Sequence, residues 1–383
     1  MGIEVVVEGL TKSFGRHVVW QDVTLSLPPG EVSVMLGPSG TGKTVFLKSL
    51  VGLIRPERGR VLVDGIDTVS CSERQLYQAR RLFGVMFQDG ALFGSMNLYE
   101  NIAFPLREHT RKTEAEIRRI VLDKMEMVGL AGDERKFPGE ISGGMRKRAG
   151  LARALVLDPQ IILCDEPDSG LDPVRTAHLS QLLIDLNAEI DATILIVTHD
   201  IQIARTVPDN IGMLYRAGLV MFGPRELLLT SDDPVITQFV NGQRTGPIGM
   251  SEERDAVKVA AQQAGAGQAD ETVTDAATGG TMPALLPQLQ PSPGVPERQA
   301  ARRRRERVLG MLHTLPPAAQ QAILAEISEE EAAEAASAAR RPPHRAAAQG
   351  EPPRTPVTAG PADQDRPERG PGSWPSGWPG GPR

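Results

Sequence analysis

A glycine-rich loop between an apolar strand and a helix constrains the fold of this chain more than any other feature. Residues 37–44 read Gly-Pro-Ser-Gly-Thr-Gly-Lys-Thr and match the pattern GxxxxGK(S/T) of a phosphate-binding loop. The apolar pattern predicts a strand over residues 31–36 and a helix over residues 45–53. Glycines let the backbone wrap phosphate oxygens, and a helix N-terminus supplies oriented amides. The sequence therefore predicts an α/β fold that binds a nucleotide.

The residues of this loop have separate expected tasks. Lys43 is expected to reach the β- and γ-phosphates, and the Thr44 hydroxyl is expected to ligate Mg²⁺. The rest of the predicted ATP-binding segment comprises Gly37, Pro38, Ser39, Gly40, Thr41, Gly42 and Val45. The loop therefore predicts nucleotide phosphates and Mg²⁺ as ligands, and the family resemblance given below implies that the nucleotide is ATP.

Two carboxylates end a second apolar run, which reads Ile-Ile-Leu-Cys-Asp-Glu-Pro over residues 161–167. A wholly apolar run is typical of a parallel strand buried on both faces, and ligands bind at the carboxyl ends of such strands. Asp165 is the predicted Mg²⁺ ligand, and Glu166 is the predicted general base for the attacking water. The alternative is that either carboxylate caps the next helix. This interpretation is the weaker one, because the same chain carries a phosphate-binding loop.

A polar residue also follows each of two further predicted strands. His199 comes after the apolar run 193–197, and we expect it to contact the γ-phosphate and to help hold Glu166 and its water. Gln88 comes after the run 83–87. A lone histidine is usually structural or exposed, and a glutamine in a loop is usually solvated. Both predictions therefore depend on the order of the strands along the chain.

A Ser-Gly-Gly turn narrows the class of nucleotide-binding protein. Residues 141–145 read Ile-Ser-Gly-Gly-Met and open a basic helix ahead of the acidic strand. With the motifs above, in this order, residues 1–243 resemble the ATPases of the ATP-binding-cassette (ABC) family. The resemblance implies a mixed sheet and a head-to-tail homodimer. In that homodimer each ATP lies between one phosphate-binding loop and the other subunit's Ser142, Gly143 and Gly144.

The same resemblance implies roles for three more residues. Gln88 corresponds to the residue that contacts Mg²⁺ and the attacking water, and Phe14 to an aromatic ring that stacks on adenine. Asp172 ends the D-loop, which runs along the dimer interface, and is expected to bind ATP there. Two residues depart from the family pattern. Met145 stands where most cassettes carry Gln, and Asp168 stands where small or Thr-like residues are more usual.

The segment 87–110, which begins Phe-Gln-Asp-Gly-Ala-Leu-Phe-Gly, is similar to one branch of this family. Together with Ser-Gly-Gly-Met-Arg-Lys-Arg-Ala over residues 142–149, it resembles the ATPases of Mla phospholipid transport and, more closely, of Mce lipid importers. This implies import of a phospholipid, fatty acid or sterol through separate integral membrane permease subunits, with Mce substrate-binding proteins as indirect partners. The expected location is peripheral, at the cytoplasmic face of the cell membrane. A cassette ATPase of a non-lipid transporter, or one outside transport, is the alternative.

The predicted cassette carries an inserted helical subdomain at about residues 89–157. Apolar spacing predicts a helix within residues 113–128. The helix that begins near Gly143 carries four cations, which we interpret as a solvated face, with a lipid headgroup site as the weaker alternative: Arg146, Lys147, Arg148 and Arg153.

Composition changes after residue 243. Residues 244–383 are rich in Ala, Pro, Arg, Gln and Gly, and Trp374 and Trp378 are their only aromatic residues. Such a segment buries too little apolar surface to offset its ordering entropy, so the extension is predicted to be largely disordered. One or two short amphipathic helices within 300–340, which would bind a partner or clasp the dimer, are the alternative. The net charge of −6 gives no electrostatic support for a nucleic-acid partner.

Overall fold

The computed structural model describes residues 2–249 and 285–340, with side chains for residues 2–249 and 285–328. The chain divides into two compact units, Met1–Ala333 and Glu334–Arg383. The first unit holds both sheets and the first part of the C-terminal extension. The described part of the second unit is the end of one helix. Predictions for residues 250–284 and 341–383 lie outside the described residues.

The strands of the described residues form two sheets. They are β1 (Val5–Phe14), β2 (His17–Leu27), β3 (Val32–Leu36), β4 (Arg58–Val63), β5 (Ile66–Asp67), β6 (Phe83–Met86), β7 (Ile161–Asp165), β8 (Thr193–Val197), β9 (Asn210–Tyr215) and β10 (Gly218–Pro224). The central sheet has the order β10-β9-β3-β8-β7-β6, in which only β10 pairs antiparallel. The second sheet, β2-β1-β4-β5, is antiparallel throughout. The predicted mixed-sheet α/β cassette fold is confirmed.

The helices of the described residues surround these sheets. They are α1 (Lys43–Leu50), α2 (Glu73–Arg80), α3 (Leu98–His109), α4 (Glu114–Met127), α5 (Gly143–Leu155), α6 (Pro173–Ile190), α7 (Ile201–Thr206), α8 (Arg225–Leu229), α9 (Pro234–Asn241), α10 (Gln299–Met311) and α11 (Pro317–Arg340). Short 3₁₀ turns occupy Pro138–Glu140 and Leu312–Thr314. No helix among residues 2–249 and 285–340 is both long enough and apolar enough to cross a membrane.

Two apolar clusters hold the cassette together. One lies between the sheets, where Trp20 of the antiparallel sheet packs with Phe46 of α1 at a ring-centroid distance of 6.1 Å. The other covers the opposite face of the central sheet and continues into α3, α4 and α5. These three helices lie within the predicted helical subdomain. In α4 the buried residues are Ile117, Val121 and Met125, which follow the predicted helical spacing.

Residues 285–328 of the extension differ from the expected disorder, because they pack on the cassette. Leu289 N donates to the Thr206 carbonyl oxygen (2.7 Å), and Ser292 Oγ donates to Asp185 (2.7 Å). Helices α10 and α11 then enclose a small apolar cluster that includes Val308 and Ile323 and touches Leu227 of α8. The amphipathic spacing within the extension therefore serves packing onto the same chain.

Four arginines of the extension each pair with an acidic residue of the cassette. These pairs, which we call the arginine clamp, are Arg298–Asp209, Arg303–Asp191, Arg304–Glu226 and Arg307–Glu31. Glu31 precedes β3, Asp209 precedes β9 and Asp191 precedes β8. The clamp therefore holds the extension near the amino ends of the central strands. Since these strands are parallel, their carboxyl ends lie at the opposite edge of the sheet.

Candidate functional site

The candidate site lies at the carboxyl ends of four neighbouring parallel strands. The phosphate-binding loop follows β3, Gln88 follows β6, Asp165 ends β7 and His199 follows β8. In open α/β sheets this edge is where ligands bind. Four motifs that are far apart in the sequence therefore meet in one place.

Close backbone approaches shape the phosphate-binding loop. A Cβ atom on Gly37, whose φ is +153°, would lie 2.4 Å from the Leu214 carbonyl oxygen. A Cβ atom on Gly42, whose φ is +84°, would lie 2.2 Å from Val19 Cγ1. Because no side chain tolerates such contacts, the sterics inside this chain require glycine at both positions. Helix α1 begins directly after this turn, so its first amides point towards the loop.

Lys43 is buried within the loop. Its Nζ donates to the carbonyl oxygens of Gly37 (2.8 Å) and Pro38 (2.9 Å). Burial lowers the pKa of the Lys43 ammonium, and the charges of Glu166 and Asp165 oppose that effect. A cation therefore lies where the loop would hold phosphate oxygens.

Thr44 and Asp165 present two oxygens to the same point. Thr44 Oγ1 donates to Asp165 Oδ1 at 2.8 Å. Burial raises the pKa of the Asp165 carboxyl, and the hydrogen bond from Thr44 opposes this. Neighbouring ligands of an octahedral Mg²⁺ ion, each 2.0–2.1 Å from the metal, lie about 3 Å apart. The separation and chemistry of these two oxygens fit such an ion.

The Glu166 carboxylate has polar neighbours from two other strands. Gln88 Nε2 donates to Glu166 Oε2 at 3.1 Å, and His199 Nδ1 lies 3.5 Å from Glu166 Oε1. The three residues predicted to act at the hydrolytic step thus lie together. Neither Asp165 nor Glu166 caps a helix, since the next helix, α6, is capped by Asp172.

The Ser-Gly-Gly turn opens α5 as predicted. Ser142 is the N-cap, and its Oγ accepts from Met145 N at 3.3 Å. A Cβ atom on Gly143 or Gly144 would approach no neighbour closer than 3.6 Å, and neither residue has a positive φ. The sterics inside this chain therefore leave room for side chains at these two glycines. Met145 packs against the main apolar cluster, which accounts for an apolar residue at this position.

Phe14 and Asp172 are the two remaining residues for which the family resemblance predicts a contact with ATP. The Phe14 ring is 52% exposed, with Lys12 Nζ 4.8 Å from its centroid. It ends β1, and the neighbouring β2 carries Trp20, whose Nε1 donates to the Gly42 carbonyl oxygen (3.4 Å). Asp172 accepts from Arg175 N (3.0 Å), and this hydrogen bond lowers the pKa of its carboxyl. Contacts of both residues with a nucleotide stay predictions.

The predicted solvated face of α5 is wrong. Each of the four cations donates to a backbone carbonyl oxygen: Arg146 to Ile141, Lys147 to Glu166, Arg148 to Val128 and Gly129, and Arg153 to Gly90 and Ala91. The reason is that α5 packs against loops whose carbonyl oxygens need donors. Periodicity alone does not reveal those acceptors, because they belong to other segments.

Sequence reasoning also missed three buried polar residues beside Glu166, namely Lys147, Asp168 and Thr198. Lys147 Nζ donates to the Glu166 carbonyl oxygen (3.2 Å) and to Ser169 Oγ (3.1 Å). Asp168 Oδ1 accepts from Thr198 Oγ1 at 2.7 Å. The unusual acidic residue at position 168 could have indicated a buried polar contact, but the sequence does not show that Thr198 is its partner.

Fold and site together define an ATP-binding cassette. A family model described as "ABC transporter" matches residues 20–169. The chain is also 67% identical over 328 residues to the "Probable ribonucleotide transport ATP-binding protein mkl" of Mycobacterium tuberculosis, covering 85% of this chain and 89% of that protein. The chain therefore belongs to the ABC transporter family, as an ATP-binding subunit that hydrolyses ATP.

Other relatives and solved structures agree with this family. The "Intermembrane phospholipid transport system ATP-binding protein MlaF" of Haemophilus influenzae is 40% identical over 242 residues, covering 63% of this chain and 92% of that protein. The dimeric cassette MJ0796 bound to ADP and Pi superposes with a TM-score of 0.54 at 31% identity, covering 58% of this chain and 98% of that one. CbiO1 from Clostridium perfringens, part of the cbiONQ transporter complex, gives a TM-score of 0.56 at 25% identity, covering 68% and 100%.

Proposed function

We propose that this chain energises lipid import by a Mce-type transporter, hydrolysing ATP for permease subunits in the membrane. The observation that carries the hydrolytic part is the convergence of Gln88, Glu166 and His199 beside the paired oxygens of Thr44 and Asp165. A base, two groups that hold it, and a metal site occupy one sheet edge. This is the set of groups that phosphoryl transfer to water requires.

In the proposed reaction Glu166 accepts the proton of the attacking water. Gln88 and His199 hold the Glu166 carboxylate, so its geometry is set before ATP binds. The loop amides and Lys43 stabilise the negative charge of the transferring phosphoryl group. A Mg²⁺ ion bound by Thr44 and Asp165, with Gln88 as a third expected ligand, would supply further charge neutralisation.

The signature glycines support a homodimer. Gly143 and Gly144 have room for a Cβ atom within their own chain, unlike Gly37 and Gly42 of the phosphate-binding loop. We propose that the requirement for glycine at these two positions comes from a second copy of the chain. A second copy would place its ATP against the Ser142 hydroxyl and the amides at the start of α5, where the helix dipole favours the γ-phosphate.

Two further residues complete this proposed site. Phe14 is exposed at the end of β1, and we assign its ring to stacking on adenine. Asp172 ends the D-loop at the start of α6, where we place the dimer interface and a contact with ATP. We place the dimer at the cytoplasmic face of the cell membrane, held there by permease subunits and through them by Mce substrate-binding proteins.

The proposed cargo is a lipid. The phospholipid-transport relative MlaF matches over 92% of its own length, and segments 87–110 and 142–149 resemble the Mla and Mce branches. Ribonucleotide transport is the second candidate, because that activity is in the name of a relative 67% identical to this chain. The hydrolytic site serves either cargo, so only the permease and its substrate decide between them.

Replacing the proposed base tests the hydrolytic part. Glu166→Gln keeps the shape of the side chain and removes its ability to accept a proton, so ATP should bind while turnover falls by about 100-fold or more. The variant should collect as an ATP-bound dimer in size-exclusion chromatography. Glu189→Gln, an exposed change of the same type in α6, is the control and should keep wild-type turnover. Wild-type turnover in Glu166→Gln would refute the assignment of the base.

Capture of the complex tests the cargo. The ATP-bound Glu166→Gln dimer should retain its permease when purified from native membranes. After reconstitution of the wild-type complex, phospholipid or fatty acid should stimulate ATP hydrolysis, and ribonucleotides other than ATP should not. Stimulation by ribonucleotides alone would favour the second candidate and reject lipid import.

A further inference from the structure

We propose that Lys147 of α5 is a positioning residue that holds the backbone of Glu166. The inference rests on the proposed role of Glu166 as the general base. It assigns a second task to the helix that carries the Ser-Gly-Gly turn. That task concerns the hydrolytic site of the same chain.

The backbone of Glu166 adopts a conformation that needs support. Its φ is +46°, in the left-handed region that residues other than glycine rarely adopt. Such residues persist only where their surroundings hold them, and they cluster at functional sites. On the amino side, Glu166 N donates to the Val197 carbonyl oxygen at 2.8 Å, which ties the residue to β8.

Lys147 holds the carbonyl side of the same residue. Its Nζ donates to the Glu166 carbonyl oxygen at 3.2 Å and to Ser169 Oγ at 3.1 Å. Ser169 N also donates to the Glu166 carbonyl oxygen, at 3.2 Å. Lys147 is only 3% exposed, so water cannot easily replace this donor. The ammonium therefore fixes the peptide that aims the Glu166 side chain.

Asp168, a second buried polar residue of this region, connects it to the segment after β8. Burial lowers the pKa of Lys147, and the charge of Asp168 is the largest influence opposing that effect. Asp168 is itself buried and accepts from Thr198 Oγ1 at 2.7 Å. The Thr198 hydroxyl in turn accepts from Asp200 N at 2.9 Å, and His199 lies between these two residues. Lys147, through Glu166 and Ser169, and Asp168, through Thr198, thus contact both segments that carry the hydrolytic residues.

The position of Lys147 on α5 gives this arrangement a consequence. Lys147 follows Ser142 by five residues, about 7.5 Å along the helix axis. In the proposed dimer the start of α5 meets the ATP of the second copy. A shift of α5 along its axis would therefore move the donor that holds Glu166 in the same chain. This links the two ATP sites through one side chain.

The test compares kinetic constants in the full-length protein. Lys147→Met keeps the length of the side chain and removes the donor, and we expect kcat to fall about 100-fold because Glu166 loses its aim. We expect KM for ATP to change by less than about threefold, since Lys147 is not placed against the nucleotide. Lys147→Arg retains a cationic donor and should recover part of the loss. Arg148→Met, which removes a neighbouring donor to the Val128 and Gly129 carbonyl oxygens, should keep kcat near wild type.

A double variant separates this role from a purely structural one. If Lys147 acts through Glu166, adding Lys147→Met to Glu166→Gln should slow release of radiolabelled phosphate by less than twofold beyond Glu166→Gln alone, a non-additive result. Independent losses that multiply would overturn the proposal, as would an unchanged kcat in Lys147→Met. If Lys147→Met does not fold, Lys147→Leu, which likewise has no donor, replaces it, with folding checked by thermal unfolding. Wild-type turnover in Glu166→Gln alone would instead reject the proposed base.

Discussion

Replacing Arg298 with methionine tests whether the extension is part of the folded ATPase. The Arg298 side chain is 4% exposed, and that of its partner Asp209 is completely buried. Burial alone would raise the pKa of the Asp209 carboxyl, but the charge and hydrogen bonds of Arg298 outweigh it and hold that pKa below its usual range. Methionine removes this compensation while keeping an apolar side chain of similar length.

The expected loss of stability depends on the polar contacts that Asp209 retains in Arg298→Met. Its carboxylate still accepts from Val32 N (2.8 Å) and from Gln288 Nε2 (3.0 Å), and Arg304 Nε lies 3.9 Å away. Removing one partner of a buried ion pair costs about 3–5 kcal/mol. Because these other groups remain, we expect the lower end, a loss of about 3 kcal/mol in the free energy of unfolding.

Urea unfolding of the full-length protein measures this loss, and Arg303→Met is the matched control. Arg303 pairs with Asp191, but its side chain is 33% exposed, so we expect a loss of at most about 1 kcal/mol. Adding Asp209→Asn to Arg298→Met should recover part of the stability, because no uncompensated charge remains. Equal, small losses in both arginine variants would refute the reasoning.

Two further predictions concern pH and nucleotide affinity. Burial raises the pKa of the Glu226 carboxyl to about 7, against the opposing charge of Arg304. This pKa lies above the unfolded value of 4.5, so the stability that protonated Glu226 contributes is present at low pH and is lost as pH rises through 7. The free energy of unfolding, measured in urea, should therefore fall by about 1–3 kcal/mol between pH 5 and 8. Glu226→Gln should flatten the dependence of this free energy on pH. The lowered pKa values of Asp209 and Glu326 place their titration below this pH range, so an unchanged slope in Glu226→Gln would contradict the assignment of the pH dependence to Glu226. Phe14→Ala should raise KM for ATP about 3–10-fold and leave kcat unchanged, whereas Phe14→Tyr should behave like the wild type. An unaltered KM of Phe14→Ala in steady-state kinetics would contradict the stacking role of Phe14.

Much of the hydrolytic site could be predicted from the sequence because its residues follow local patterns. Lys43 and Thr44 come from one contiguous loop, and Asp165 and Glu166 come directly after one apolar run. Parallel strands bring their carboxyl ends to the same sheet edge, so the order of the motifs implies their meeting. Gln88 and His199 required the family resemblance or the strand order in addition.

The partners of buried charges could not be predicted in this way. Lys147 lies in a run of cations that looks solvated, and only packing shows that its Nζ meets the Glu166 carbonyl oxygen. Arg298 lies in a segment whose composition favours disorder, and its acceptor Asp209 is 89 residues away. Whether a charge is solvated or paired depends on groups that are distant in the sequence and become buried next to it. Local periodicity does not show which groups these are.

The sequence by itself thus determined the α/β cassette fold and predicted the residues of the candidate nucleotide site, because strand–loop–helix motifs are local patterns that the family resemblance then connects. Only the tertiary structure decided how Glu166 is held and how the extension joins the cassette. Both depend on buried contacts between separate segments, Lys147 with the Glu166 carbonyl oxygen and Arg298 with Asp209. Excluding water from a charged group costs free energy, so each buried charge needs a partner that only the folded chain brings to it.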